Sequence, residues 1–192
     1  MKLRDEIAVY KPFNEQEKVD QEVILECMDV YSDVLTRENR IAHFTASCWI
    51  VNKERTKVLM AHHNIMDDWA WTGGHADGND DLLKVAFREA KEETGLKHLN
   101  LLSNGIYSIE VLHVTQHHKR GKFVNAHVHL NVSYLFEADE EESLRIKEDE
   151  NSGVCWVDIL KVCDLVKEPS DKLLYKKLND KLKFKNQDDL AN

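Results

Sequence analysis

The sequence predicts an α/β domain with a helical extension at its N-terminus, and three observations predict it. Residues 43–62 and 107–136 alternate apolar and polar side chains as strands do. Residues 14–36, the stretch following Asp81 and the tail repeat apolar side chains at helical spacing. Glycines punctuate the passage between the two patterns, at Gly73-Gly74 and again at Gly95.

A chain of 192 residues is long enough for one well-buried domain plus an appendage. The boundary falls in the polar stretch Thr36–Arg40, which leaves residues 1–40 as the extension and 41–192 as the main domain. Apolar content of 42% and charge of 32% describe a soluble globular protein. A net charge of −9 argues against a stable nucleic-acid partner, whose backbone it would repel. Nucleotides stay open, since a metal and a few basic groups neutralise their phosphates locally. Cys27, Cys48, Cys155 and Cys163 form no Cys-x-x-Cys pair and read as small apolar residues in a reducing compartment. The first residues lack the apolar core of a signal peptide, and no apolar run spans a membrane. A cytoplasmic chain without a membrane partner is expected.

Taken in order, residues 14–36 read as a helix that Asn14 and Glu17 open as a variant capping box. Its stripe of Val19, Val23, Cys27, Val30, Tyr31 and Val34 needs a surface to dock on. Packing within a monomer is the first expectation and a homodimer the second. His43–Asn52 and Thr56–His62 read as paired strands, joined by a turn at Asn52-Lys53-Glu54-Arg55. Tyr107–Thr115 and Val124–Phe136 read as a second pair, with the basic connection 116–122 between them. The last strand is expected at Val154–Asp158, and a lysine-rich helix capped by Ser170 carries Leu174, Leu178 and Leu182. Lys167–Lys185 has seven basic and three acidic residues, and its lysines are expected in solvent.

Gly73 to Leu96 organises the rest. A glycine turn leads into a helix with Asp80 and Asp81 at its positive end, and Gly95 ends it in the left-handed conformation. Leu83, Ala86, Phe87 and Ala90 are its expected buried stripe. Glu89 and Glu93 stand four apart on one face with Glu92 beside them. Three crowded carboxylates repel one another, and a hard divalent cation relieves the repulsion. Taken alone, Arg88-Glu89-Ala90-Lys91-Glu92-Glu93 is an ordinary solvated helix with a surface ion pair. The glycines change the reading. Gly74, five residues, an acidic residue, seven residues, then Arg-Glu-Ala-x-Glu-Glu-x-Gly-Leu runs over 23 positions.

This stretch resembles the Nudix box of the Nudix hydrolases, departing from it at Asp80, where the family has Glu. The resemblance implies an α/β/α sandwich around a mixed sheet with the box helix on one face. It implies metal-dependent hydrolysis of a nucleoside diphosphate linked to another group, with Mg2+ or Mn2+ as cofactor. On this chain it implies Glu89, Glu92 and Glu93 as ligands together with the carbonyl of Gly73. Gly74, Arg88 and Gly95 take structural places in the motif, and Arg88 orients the carboxylates. Asp80 is one methylene shorter than the family's Glu, so metal contact from it is not carried over. In several such enzymes a loop before the last strand delivers a further glutamate to the metals or the attacking water. Here that loop lies in Glu137–Glu150, with eight acidic and two basic residues, and offers Glu150 and then Glu148.

His127 and His129 share one face of a strand, continued by Asn131 and Ser133. The preferred reading places them on the substrate side of the pocket, with His62 and Arg120 as weaker candidates and His63 behind them. With His113 they also read as a zinc-binding set. A nucleotide-binding regulator without hydrolysis is disfavoured because Glu89, Glu92 and Glu93 are all present. An isopentenyl diphosphate isomerase needs a Cys-x-His-type segment, and the sequence has none. The tyrosine and proline marks of the diadenosine polyphosphate and ADP-ribose subfamilies are absent, so the small-molecule substrate stays open within its class.

Overall fold

The computed structural model describes residues 2–119 and 121–190. Its helices are α1 (Leu3–Val9), α2 (Glu15–Val30), α3 (Leu82–Thr94), α4 (Val162–Leu165) and α5 (Pro169–Leu190). Its strands are β1 (Ala42–Val51), β2 (Lys57–His63), β3 (Asp68–Ala70), β4 (Thr72–His75), β5 (Asn100–Leu101), β6 (Ser108–Val114), β7 (His117–Lys119), β8 (Lys122–Val124), β9 (His127–Glu137) and β10 (Asn151–Asp158). Eight of them form one sheet, and β7 and β8 pair as a separate hairpin. The chain divides into two compact units, with β1, β4, α3 and β9 each running from one into the other.

The first unit holds the residues up to Cys48 with Gly73–Glu89 and Ser103–Tyr134. Here β6 lies antiparallel to β9, with Leu112 opposite His129 and Val114 opposite His127. Asn14 caps α2 as expected, its side chain accepting from Glu17 N–H at 2.9 Å. The helix ends at Val30, short of the expected 36, and its docked face differs from the expected stripe. Ile24 and Glu17 are fully buried, whereas Val19 is 49% and Val30 71% exposed. Glu17 defeats the periodicity argument because its charge is fully bonded inside. Its carboxylate accepts from Tyr10 Oη at 2.6 Å, Phe13 N–H at 2.8 Å and Ser108 Oγ at 2.7 Å. Burial and the neighbouring Glu17 push the Tyr10 phenol far above its ordinary value, which keeps it a proton donor to that carboxylate. The short helix α1, which no periodic pattern announced, buries Leu3 and Ile7.

The polar face of β9 is likewise closed. Asn131 and Ser133 are fully buried. Asn131 accepts from Thr45 Oγ1 at 2.9 Å and Ser47 Oγ at 2.8 Å, and donates to Glu110 Oε2 at 2.8 Å. Beyond His129 the polar face of the strand is therefore a satisfied internal network.

The second unit holds Trp49–Thr72, Ala90–Leu102 and the chain from Leu135 onward. Strand β2 pairs with β1 through Val58 opposite Val51, and with β10 from Val154 opposite Ala61 to Asp158 opposite Lys57. Asn52 builds the expected turn, accepting from Thr56 and Lys57 N–H at 2.9 Å each. Pro169 opens α5, so Ser170 lies in its first turn and is not the cap. Tyr175, Leu178 and Leu182 are buried on that helix, and Tyr175 stacks on Trp49 at 5.3 Å. Lys177 and Lys181 are buried too, against the expectation of solvated lysines, because they share the docked side with Leu178 and Leu182. Among the described residues no helix is long and apolar enough to cross a membrane.

Candidate active site

The helix carrying the carboxylates starts at Leu82, one residue after Asp81, whose side chain accepts from Lys84 N–H at 3.1 Å. Asp80 is exposed ahead of it. The buried side is Leu82, Val85, Ala86, Ala90 and Glu93, while Leu83 and Phe87 are only half-buried. That side is turned by about one residue from the expected stripe, and the turn carries Glu93 into the interior. Gly95 ends the helix at φ 76°, its N–H on the Lys91 carbonyl at 2.9 Å, as its place in the sequence predicts.

In the first unit the glycine pair does two different things. A Cβ at Gly73 would stand 2.6 Å from the Ala46 carbonyl oxygen and 2.8 Å from Ser47 Cα, both backbone atoms. A Cβ at Gly74 would stand 2.3 Å from Cδ of Glu89 and 2.6 Å from its Oε1. Gly74 therefore makes the room in which the Glu89 carboxylate sits, and Arg88 Nη2 holds that carboxylate from outside at 2.6 Å. The contrast is testable. Gly73→Ala is expected to destabilise the fold by about 1–3 kcal/mol, the usual cost of overpacking, because backbone must move. Gly74→Ala is expected to cost little stability, because only the end of a flexible side chain must swing away, yet to displace Glu89. Thermal melting of both variants checks the order, and equal losses would remove the distinction.

In the second unit the acidic run is a built turn. Glu150 and Asn151 N–H both bond the Lys147 carbonyl at 2.8 Å, and Asn151 Oδ1 accepts from Lys147 N–H at 3.1 Å. Asn151, 2% exposed, donates from Nδ2 to the Glu93 carbonyl at 3.0 Å, fastening the turn to the end of α3. Glu93 is 7% exposed, and it and Glu150 offer carboxylate oxygens within 4.8 Å of each other. Glu89 and Glu93, one helical turn apart on α3, do the same. Lys147 Nζ sits between Glu150 at 3.0 Å and Glu92 at 3.1 Å. Burial works against its charge, but the bonds to Glu150 and Glu92 outweigh that and hold it above the ordinary lysine value. Lys147 and Asn151 are the residues sequence reasoning missed. Glu148, by contrast, is exposed and engages Asn64 through its backbone carbonyl at 3.1 Å.

The remaining candidates scatter. His127 and His129 lie together in the first unit, their Nε2 atoms 3.3 Å apart. His62 belongs to the second unit, where its Nδ1 meets Ser152 Oγ at 2.9 Å and its ring stands edge-on to Trp69. In that unit His63 accepts from Ile65 and Met66 N–H, which binds it into its own turn. His113 is exposed on β6. Arg120 lies outside the described residues.

The NUDIX domain model matches residues 42–178 of this chain. The chain belongs to the Nudix family. A Pelagibacter ubique (strain HTCC1062) protein, the RNA pyrophosphohydrolase, is 29% identical over 122 residues, covering 61% of this chain and 77% of that protein. Among solved structures, a C. elegans Ap4A hydrolase in a binary complex superposes with a TM-score of 0.55 at 18% identity, covering 74% of this chain and 97% of its own. The E. coli dihydroneopterin triphosphate pyrophosphohydrolase gives 0.52 at 16% identity, covering 70% and 92%. These likenesses establish the α/β Nudix fold. The family match makes the chain a Nudix hydrolase.

The donor set suits the divalent cations that Nudix hydrolases use. Oxygen ligands are what hard cations take, and like charges drawn this close, one of them buried, are stabilised by a cation.

Proposed function

We propose that this chain cleaves a phosphoanhydride bond in a nucleoside diphosphate linked to another group, with Mg2+ or Mn2+ held by Glu89, Glu92 and Glu93 and the carbonyl of Gly73. The observation that carries the reading is the burial of Glu93 among carboxylates at Nudix spacing, with Glu150 fastened beside it through Asn151. A bound cation neutralises diphosphate oxygens and lowers the pKa of an attacking water. The chain's own residues supply the frame. Gly74 gives Glu89 its space, Arg88 orients it, and Asn151 fixes the turn that presents Glu150. Lys147 holds Glu92 and Glu150 in place while no cation competes for them. Glu150 is assigned as the base that accepts a proton from water.

The names of the relatives widen the class to be tested. The screen contains nucleotide sugars, a dinucleoside tetraphosphate and a 5′-triphosphorylated RNA oligonucleotide, each with Mg2+ or Mn2+. Nucleoside monophosphate and phosphate release are measured. We expect turnover of a small nucleoside diphosphate derivative above that of the RNA, given the net charge of −9. No metal-dependent turnover of any member would overturn the reading, and preference for the RNA would move the substrate to that of the Pelagibacter relative.

A further inference from the structure

We propose that His43, His75 and His129, all in the first unit, form a binding site for a late first-row transition cation, zinc foremost, distinct from the carboxylates of α3. Each offers a ring nitrogen, and the three nitrogens lie within 4.8 Å of one another. The ring centres are 5.2 Å apart for His43 and His75, 5.0 Å for His43 and His129, and 5.0 Å for His75 and His129. A tetrahedral ion with Zn–N bonds of about 2.0–2.1 Å holds imidazole ring centres roughly 5 Å apart, a spacing these three rings already have. The planes cross at 33°, 52° and 84°, and His43 also stacks on His127 with ring centres 4.8 Å apart.

His43 supplies the independent sign that something is bound here. It is 4% exposed, and its Nδ1 bonds the Asn39 carbonyl at 2.9 Å. A carbonyl only accepts, so Nδ1 carries the proton and Nε2 presents a lone pair. That Nε2 is buried and has no hydrogen-bond partner. A buried acceptor without a partner is costly, and a coordinated cation would satisfy it. The orienting carbonyl is itself fixed. Asn39 is buried, donates to Asp33 Oδ1 at 2.8 Å, and accepts from Ile41 and Ala42 N–H at 3.0 Å each. Ligating histidines are held by backbone carbonyls in this way, which sets their tautomer. His75 ends β4, the strand in which the expected glycine turn is found instead as extended backbone, and just beyond it Ala76 N–H bonds the Phe44 carbonyl at 3.0 Å. His127 stands at the rim, with Nδ1 on the Asn125 carbonyl at 2.8 Å and Nε2 3.3 Å from that of His129.

The donor chemistry separates this site from the other. Three imidazoles and no carboxylate select zinc, cobalt or nickel over magnesium, which takes oxygen ligands. Three protein ligands leave a fourth position for water or an anion. The set differs from the one the sequence suggested, since His43 and His75 take the places given to His113 and His127. It also gives His129 a role other than lining the substrate pocket.

The test is a Co2+ titration of the chelator-stripped full chain in excess Mg2+, which occupies the carboxylates, followed by competition with Zn2+. We expect one equivalent of Co2+ to produce visible d–d absorption that Zn2+ removes. His75→Ala and His129→Ala should each weaken Co2+ binding by roughly tenfold or more, with the metal-free melting temperature near that of the parent. Glu93→Gln should leave the absorption unchanged. Because the parent spectrum is read first, a variant that fails to fold leaves the test standing. No Co2+ or Zn2+ uptake by the parent under excess Mg2+, histidine variants that bind as the parent does, or loss of the signal in Glu93→Gln would each overturn the proposal.

Discussion

Glu93→Gln is expected to lower turnover roughly 10²–10³-fold, the scale at which a stabiliser of transition-state charge is lost. The substitution keeps the shape and helix propensity of the side chain and removes one charge. Glu93 is nearly buried, with Glu150 and Glu89 offering oxygens within 4.8 Å, so the charge it gives up stands among like charges. Without metal, the variant should therefore be as stable as the parent or slightly more so. With magnesium the order reverses. A cation that binds only the folded chain stabilises it by linkage, and the parent should gain more than the variant. Melting temperatures with and without magnesium, and turnover on the substrate found in the screen, decide the matter. A variant that keeps both full turnover and the full magnesium shift would remove Glu93 from the ligand set.

What the sequence made legible follows the range of the interactions concerned. The end of α3 at Gly95, the cap at Asn14 and the turn at Asn52 depend on neighbours within a few residues, and all three stand where local reasoning puts them. The docked face of α2 does not, because Glu17 is buried through Ser108, a partner on β6 that no period reveals. The same holds on β9. Alternation places His127, His129, Asn131 and Ser133 on one face, but only the partners Thr45, Ser47 and Glu110 decide that the lower half is closed. In the candidate site, helical spacing put Glu89 and Glu93 on one face of α3, and the glycines at motif spacing marked them as more than a solvated helix. The clamp of Asn151 on the Glu93 carbonyl and the bridge of Lys147 to Glu92 were not legible, since both residues lie in an acidic run whose ordinary meaning is a solvated loop. His43 read as the first residue of a strand, and its meeting with His75 and His129 is a product of the fold.

The acidic run supplies the second large effect. Glu150→Gln is expected to lower the maximal rate by about 10²–10⁴-fold, the usual contribution of a general base, with little change in KM. The turn that carries Glu150 is fixed at four points: two backbone bonds to the Lys147 carbonyl, Asn64 N–H on the Glu150 carbonyl at 2.9 Å, and Asn151 on α3. A glutamine should therefore occupy the same place, and a lost rate would report lost basicity and not a lost loop. Lys147 Nζ, 3.0 Å away, helps to hold the carboxylate in that place. Glu148 is the internal control, because it shares the acidic run but is exposed. Glu148→Gln should run within twofold of the parent. If Glu150→Gln also stays within twofold, the run returns to a solvated surface, and the base must be sought among the carboxylates of α3. If Glu150→Gln loses the magnesium-dependent rise in melting temperature along with the rate, Glu150 is a metal ligand and its assignment as the base falls.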